Sequence, residues 1–206
     1  PTEAEALFGR VAAGNVSASD AELFRAQMLT ELARMSCEDG LVMQLHAGVH
    51  RNHNTAVFQA IGRDRGFDIP TQGAFVDALK PLLNAVGMDP RLRLILFTLD
   101  EDTYSRELAG VWPCLRLGPP WWFHDSFEGM CRFRQLATET AGFANTVGFN
   151  DDTRALLSIP ARHDVARRVD CAFLAELVTS HRLDEDEAYT LAPQLAGGLA
   201  RAAYNL

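Results

Sequence analysis

Apolar residues recur along this chain at two spacings, one typical of helices and one typical of short buried strands. A Ser19-x-x-Glu22 capping box predicts a helix start, and Gly40 marks the end of the helical pattern that follows. The short apolar run at 41–45 then predicts a buried strand. The apolar residues of this first helical pattern are Phe24, Met28, Leu32 and Met35.

The same alternation of helix and strand patterns continues to the end of the chain. Pro81 should kink or divide the second helix, and Ser126 should cap a later one. The acidic run at 184–187 suits the exposed first turn of a closing helix. The further strands are predicted at 92–99, 114–117 and 146–149, and the helices at 75–86, 105–109, 127 to near 142, and in two C-terminal patterns.

This order of elements predicts the fold class α/β, with parallel strands joined by helical crossovers. No linker-like segment interrupts the chain, so we expect a single domain over residues 1–206. Four β/α units are half of an eight-stranded barrel of the TIM type, which needs about 250 residues to close. An open doubly wound sheet is the self-contained alternative.

Composition and charge exclude several classes of protein. The net charge of −8 and the scattered basic residues argue against a nucleic-acid-binding surface. The four cysteines form no C-x-x-C pair, so neither a zinc knuckle nor a disulfide framework is indicated. No apolar run approaches the roughly 20 residues of a membrane-spanning helix, and the acidic start lacks the features of a signal peptide. We therefore expect a soluble cytoplasmic protein with no membrane partner.

The first predicted strand ends in an unusually dense set of polar residues, at 46–54. His46 stands at the strand end, where an imidazole can act as acid, base or metal ligand, or can simply be satisfied by a backbone group. His46, His50 and His53 resemble a metal-binding spacing only superficially, because Gly48 and the strand exit disfavour the helix that this geometry needs.

Two arginines and one aspartate also follow predicted strands. Arg51 and Arg154 offer donor forks suited to a carboxylate, although either could pair with a structural acid. Asp152 lies two residues before Arg154, so both side chains would point the same way in an extended loop. The same residues could equally form a solvated turn.

The tryptophan pair Trp121 and Trp122 follows a proline stop after another predicted strand. Indole rings can stack on a sugar or shield a reaction from water. Packing in the core explains at least one of the two equally well.

Five ordered segments together resemble the carboxy-terminal half of uronate isomerase, in the glucuronate isomerase family of the metal-dependent amidohydrolase superfamily. The resemblance spans nearly the whole chain, and it rests on the segments taken in register because each one alone is modest. They are Met43-Gln44-Leu45-His46-x-Gly48-x-x-Arg51-Asn52, Gly66-Phe67-Asp68-Ile69, Trp121-Trp122-Phe123-x-Asp125, Asp152-x-Arg154 and Arg162-His163.

The resemblance implies the C-terminal half of a distorted barrel with extra C-terminal helices, and an aldose-ketose isomerisation of D-glucuronate or D-galacturonate to D-fructuronate or D-tagaturonate. It implies a divalent metal ion, zinc foremost, with Asp152 as a ligand. His46, Asp152 and Arg154 would be catalytic. Arg51, Trp121 and Trp122 would bind the hexuronate substrate.

One departure from the family pattern bears on all of these expectations. The family's metal site begins with an H-x-H pair, and this chain contains none. The site would therefore be completed by a longer polypeptide or by a second chain, and we expect homo-oligomerisation or association with the missing half, because a half-barrel leaves sheet edges open. A hydrolase of the same superfamily and a non-catalytic sugar-acid-binding or assembly module are the alternatives.

Overall fold

The computed structural model describes residues 2–100, 105–153 and 155–206. Short strands alternate with longer helices, as the sequence predicts. The strands are β1 (Met43–His46), β2 (Val49–His50), β3 (Ile69–Pro70), β4 (Leu94–Phe97) and β5 (Leu115–Leu117). The helices are α1 (Thr2–Ala12), α2 (Ala18–Asp39), α3 (Thr55–Ile61), α4 (Phe75–Val86), α5 (Ser105–Val111), α6 (Phe127–Thr140), α7 (Ile159–Thr179), α8 (Glu185–Pro193) and α9 (Leu199–Tyr204), with short 3₁₀ turns at Trp122–His124 and Leu156–Ser158 and a π-helical turn at Gln194–Gly198.

The main sheet has the strand order β1-β4-β5, and both pairings are parallel. This confirms the predicted α/β class with parallel strands. The carboxyl ends of all three strands therefore lie at the same end of the sheet, where polar residues follow β1 and β4 and the tryptophan pair follows β5.

The prediction of a regular strand at 146–149 is wrong. Thr146 forms a single parallel bridge with Leu117, and the ladder then stops. The reason is local, because Gly148 adopts a φ of +68°, which leaves extended geometry. The next residue, Phe149, donates its N–H to the carbonyl of Leu195 instead of to β5.

The two faces of the sheet are covered by different helices. Leu94 and Leu96 point to one face, where they join α2, α4, α5 and α6 in the larger hydrophobic cluster. Ile95 and Phe97 alternate to the other face and pack with Val147 and α9. The helices that connect the parallel strands thus lie on one face, whereas a doubly wound sheet distributes its connecting helices over both faces.

The predicted buried character of the first strand is wrong. Gln44 and His46 in β1 are exposed, because β4 is the neighbour of β1 and its other edge carries no strand among the described residues. The apolar residues that mark the helical pattern of α2 are likewise exposed on one side, and small residues make the contact with the sheet instead. Met28, Leu32 and Met35 are exposed, while Ala33 and Cys37 are buried.

Helix ends follow the predicted signals with one shift. The capping box of α2 is formed by Ser17 and Asp20, not by Ser19 and Glu22, because Ser17 holds the extended N-cap conformation. Gly40 ends α2 in the left-handed conformation, and Ser126 caps α6 through the N–H of Gly129. The acidic run forms the exposed start of α8.

Two features of the fold depart from the predicted pattern. Helix α4 continues through Pro81 rather than dividing there. A small antiparallel hairpin, β2 with β3, encloses α3 just beyond the end of β1. Within the described ranges, no helix combines the length and the apolar character needed to cross a membrane.

Candidate active site

His46 closes β1 at the carboxyl edge of the sheet and lies against aromatic rings. It stands opposite Phe97 in the β1–β4 register, and the two rings stack with centroids 4.1 Å apart. Trp121 meets the imidazole edge-on at 4.9 Å. Partial burial of the imidazole lowers the pKa of His46 below its usual 6.5, and the negative charge of Asp152 partly opposes that shift. The neutral imidazole, which can accept a proton, is therefore favoured.

Arg51 is brought over the site by the hairpin that follows β1. Gly48 makes the turn possible with a φ of +93°, a conformation that other residues rarely adopt. Arg51 donates from Nη1 to Oδ2 of Asp68 at 3.0 Å, and its guanidinium carbon lies 4.6 Å from the ring centroid of Trp122. Arg51 therefore pairs with a structural acid, one of the two possibilities that the sequence left open for it. Its side chain also lines the cleft.

The tryptophan pair forms the wall between the hairpin and the sheet. Trp121 lies between Phe97 and Trp122, and its Nε1 is buried without a hydrogen-bond partner in the described part of the chain. Trp122 holds a φ of 50°, an unusual conformation for a bulky residue that sets the indole beneath Arg51. Both rings line the cleft, so neither is merely part of the core.

Asp152 follows the single bridge at Thr146, and its neighbour Asp151 is held by α7. Arg162 on α7 bonds to the carboxylates of both Asp151 and Asp125, with 2.5 Å between its Nε and Oδ1 of Asp151. Burial raises the pKa of Asp125, and Arg162 partly opposes that shift. Asp152 itself is exposed toward the cleft.

Two adjoining clefts of about 380 Å³ each share Trp121 and Asp152. One cleft holds Arg51 and Trp122, and the other holds His46. The structure therefore brings five of the six predicted site residues to one edge of the sheet. The sixth, Arg154, lies outside the described residues.

The three-histidine arrangement does not form. His50 and His53 contact each other, with ring centroids 5.3 Å apart, whereas His46 packs on Phe97. Among residues 2–100, 105–153 and 155–206, no group of three His, Cys, Asp or Glu side chains could hold a metal ion. His46 and Asp152 are thus two potential ligands that do not make a metal site by themselves.

Several residues of the clefts were not identified as site residues from the sequence. Asp68 and Arg162 lie in the segments that carry the family resemblance, and their roles as partners of Arg51 and of two acids need the three-dimensional structure. Gln44 had a local signal, because it stands two residues before His46 and so shares its face of β1. Tyr204 had none, since it reaches the cleft from the other end of the chain.

The chemistry of the clefts suits a small acidic polyhydroxy ligand. A guanidinium on one side can pair with a carboxylate, aromatic faces can pack on the C–H groups of a sugar, and a neutral imidazole beside a carboxylate can move protons. The buried Nε1 of Trp121, which has no hydrogen-bond partner among the described residues, offers a further site for a ligand hydroxyl group.

Comparisons with known proteins agree with this chemistry. The family model for glucuronate isomerase matches residues 1–196. A protein of Brucella canis named uronate isomerase is 67% identical over 99% of this chain, and one of Rhizobium meliloti is 66% identical over the same share. In each case the match covers 44% of the relative.

Solved structures extend the comparison to the fold. The crystal structure of glucuronate isomerase from Caulobacter crescentus matches 99% of this chain with a TM-score of 0.94 and 64% identity, over 43% of its own length. The uronate isomerase of Thermotoga maritima matches 98% of this chain with a TM-score of 0.89 and 28% identity, over 46% of its own length. The chain thus spans less than half the length of the relatives that it matches, and it belongs to the glucuronate (uronate) isomerase family.

Proposed function

We propose that this chain supplies part of the catalytic site of a uronate isomerase, namely the part at the carboxyl ends of its own strands. Such an enzyme interconverts D-glucuronate and D-fructuronate or D-galacturonate and D-tagaturonate. The observation that carries the proposal is the convergence of His46, Arg51 and the tryptophan pair on one pair of clefts. The family membership of the chain restricts the acidic sugar that fits these clefts to a hexuronate.

The reaction moves two protons and needs no oxidant or reductant. A proton leaves C2 of the open-chain aldose and is added to C1. The O2 hydroxyl loses its proton to become the ketone oxygen, and O1 gains a proton to become a hydroxyl. We assign His46 to hydrogen bonding and proton transfer near C1 and C2, because its neutral form is favoured. Asp152, whose charge acts on His46, would carry a hydroxyl proton.

The remaining site residues bind and orient the substrate. Arg51 would clamp the C6 carboxylate, since its guanidinium faces the cleft beside Trp122. Trp121 and Trp122 would pack on the sugar and exclude water. Arg154 would stabilise the negative charge on the enediolate oxygen, a role that rests on the family resemblance.

The architecture that we propose for the active protein is a closed barrel. Residues 1–206 would form one domain that contributes half of the barrel, with connecting helices on its outer face. The remaining barrel would be completed by further residues of the same polypeptide or by a second chain, and the exposed edge of β1 and the exposed residues of α2 favour such association. We call this completed protein the assembled enzyme.

The proposal includes a divalent metal, zinc foremost. Its site would need further ligands from outside the described residues. Asp152 would be one ligand from this chain. A resident metal would supply a Lewis acid for the sugar oxygens. None of the roles assigned above to His46, Arg51 or the tryptophans depends on it.

The test is an isomerase assay that also addresses the two alternatives. The assembled enzyme should convert D-glucuronate to its ketose and should leave model esters and lactones unchanged, and this chain by itself should be inactive until the completing half is added. Hydrolysis of the esters would favour a superfamily hydrolase. Calorimetric binding of D-glucuronate without turnover would favour a binding or assembly module.

A further inference from the structure

The carboxy-terminal helix α9 makes a polar contact with two elements that carry site residues. The Tyr204 hydroxyl donates to Oε1 of Gln44 at 3.1 Å and accepts from Nδ2 of Asn150 at 3.3 Å. One hydroxyl therefore joins β1 to the segment that follows the Thr146 bridge. These two elements are more than 100 residues apart in sequence.

Both partners of Tyr204 stand two residues before a predicted catalytic residue. Gln44 precedes His46 on β1, and residues at i and i+2 of a strand share one face. Asn150 precedes Asp152 in the segment that leaves the sheet. A displacement of Gln44 or Asn150 would therefore have to pass through only one intervening residue to reach His46 or Asp152.

The same helical region holds the 148–152 segment at two further points. Phe149 donates its N–H to the carbonyl of Leu195 at 3.2 Å. Gly148 passes so close to Leu195 that a Cβ on it would lie 2.5 Å from that carbonyl oxygen. The segment that bears Asp152 is thus built directly on the C-terminal helices.

Helix α9 is itself fixed to the sheet, which makes Tyr204 a firm anchor. Arg93, at the start of β4, donates to the carbonyl of Ala202 in the last turn of α9. Ala203 packs on Ile95 and Val147, and the Tyr204 ring packs against the same cluster. The Tyr204 hydroxyl is protonated near neutral pH, as tyrosines ordinarily are, and burial raises its pKa further.

We infer that Tyr204 is a positioning residue that sets the distance between His46 and Asp152 through Gln44 and Asn150. This inference rests on the proposed isomerase function for its kinetic consequence, but not for its geometric one. Tyr204 also lines the cleft that contains His46 and Asp152.

The experiment compares Tyr204→Phe with Tyr189→Phe in the assembled enzyme. Tyr204→Phe removes only the hydroxyl and keeps the packed ring, whereas Tyr189 lies exposed on α8 and is 73% accessible, so its variant is a matched control. We expect kcat to fall about tenfold to hundredfold in Tyr204→Phe with KM changed less than about twofold, because a misplaced catalytic group slows the reaction without weakening binding. Tyr189→Phe should retain both constants.

A second variant separates positioning from general destabilisation. Asn150→Ala should lower kcat to a similar extent, and the double variant Tyr204→Phe/Asn150→Ala should be no slower than the slower single variant, since both changes break one link. Multiplying defects, or a Tyr204→Phe enzyme with the kcat of the parent, would overturn the inference. So would a loss of activity that only follows a loss of folded protein.

A crystal structure of Tyr204→Phe decides the geometric claim even where no isomerase activity is found. The inference predicts that the Asp152 carboxylate moves relative to the His46 ring by more than about 0.5 Å, the tolerance typical of a catalytic site. An unchanged His46–Asp152 distance would reject the positioning role. An assembled parent protein that turns over no hexuronate would reject the proposed function alone.

Discussion

His46 and Phe97 face each other across β1 and β4 and stack their rings with centroids 4.1 Å apart. The contact removes water from one face of the imidazole while the other side stays open to the cleft. Within the described part of the chain, His46 is oriented by an apolar neighbour rather than by a hydrogen bond. This arrangement underlies the assignment of His46 to proton transfer.

Replacing His46 tests that assignment. His46→Asn in the assembled enzyme should lower kcat for D-glucuronate by about 10²- to 10⁴-fold, the usual contribution of a general acid–base group. The matched control is His181→Asn, because His181 is exposed after α7 and its positive φ of 56° suits asparagine. Steady-state kinetics of both variants would show the difference. Equal activity of His46→Asn and the parent would remove His46 from the mechanism.

The pH dependence of stability follows from the lowered pKa of His46. Because burial lowers its pKa below 6.5 in the fold, the unfolded chain binds the proton more readily than the folded chain does. The stability contributed by the neutral imidazole is therefore present above pH 6.5 and is lost as the pH falls below that value. Denaturant unfolding of the parent should lose more stability on acidification than His46→Asn does. The opposite order would contradict the shift.

Asp152 should act on the same titration in the opposite direction. Its carboxylate raises the pKa of His46 and partly offsets the effect of burial. Asp152→Asn should therefore lower the pKa of His46 further, which an NMR titration of the imidazole protons would record. A pKa that rises or stays constant in Asp152→Asn would show that the two side chains do not interact.

Arg51 should govern substrate binding more than turnover. Arg51→Met should raise KM for D-glucuronate about tenfold to hundredfold, as expected for the loss of a hydrogen bond between charged groups. The control is Arg168→Met, because Arg168 is 75% exposed on α7 and pairs only with Asp164 among the described residues. That variant should keep KM within about twofold. A fall in kcat at constant KM for Arg51→Met would reject the clamp.

Gly148 should be more sensitive to substitution than a glycine of similar conformation elsewhere. Gly148 and Gly40 have φ values of +68° and +70°, but a Cβ on Gly148 would meet the Leu195 carbonyl, whereas a Cβ on Gly40 would meet nothing within 4 Å. Gly40→Ala should cost about 1 to 2 kcal/mol of unfolding free energy from the left-handed conformation alone. Gly148→Ala should cost about 1 to 3 kcal/mol more from overpacking. Equal losses in denaturant unfolding would refute the close contact.

The sequence predicts the parts of this fold that depend on local pattern. The apolar run of β4 and the caps at Gly40 and Ser126 are where the pattern places them. His46 and Asp152 line one cleft because the single parallel bridge at Thr146 places the segment that bears Asp152 at the same end of the sheet as the end of β1.

Other features depend on neighbours that no local pattern reveals. The exposure of β1 depends on which strands lie beside it. An apolar run in the sequence has the same pattern whether its strand lies at the edge or in the centre of a sheet. The hairpin of β2 and β3 has only two residues in each strand, too few to show alternation. The Tyr204–Gln44 hydrogen bond joins residues 160 positions apart, so only the folded chain discloses it.

A crystal structure of the assembled enzyme with an analogue of D-glucuronate reduced at C1 tests the central claim most directly. The account predicts that the analogue lies in the two adjoining clefts, with its carboxylate on the Arg51 guanidinium and its C1–C2 end within about 3.2 Å of the His46 imidazole. An analogue bound away from these clefts, or bound with its carboxylate at His46 and its C1 end at Arg51, would contradict it.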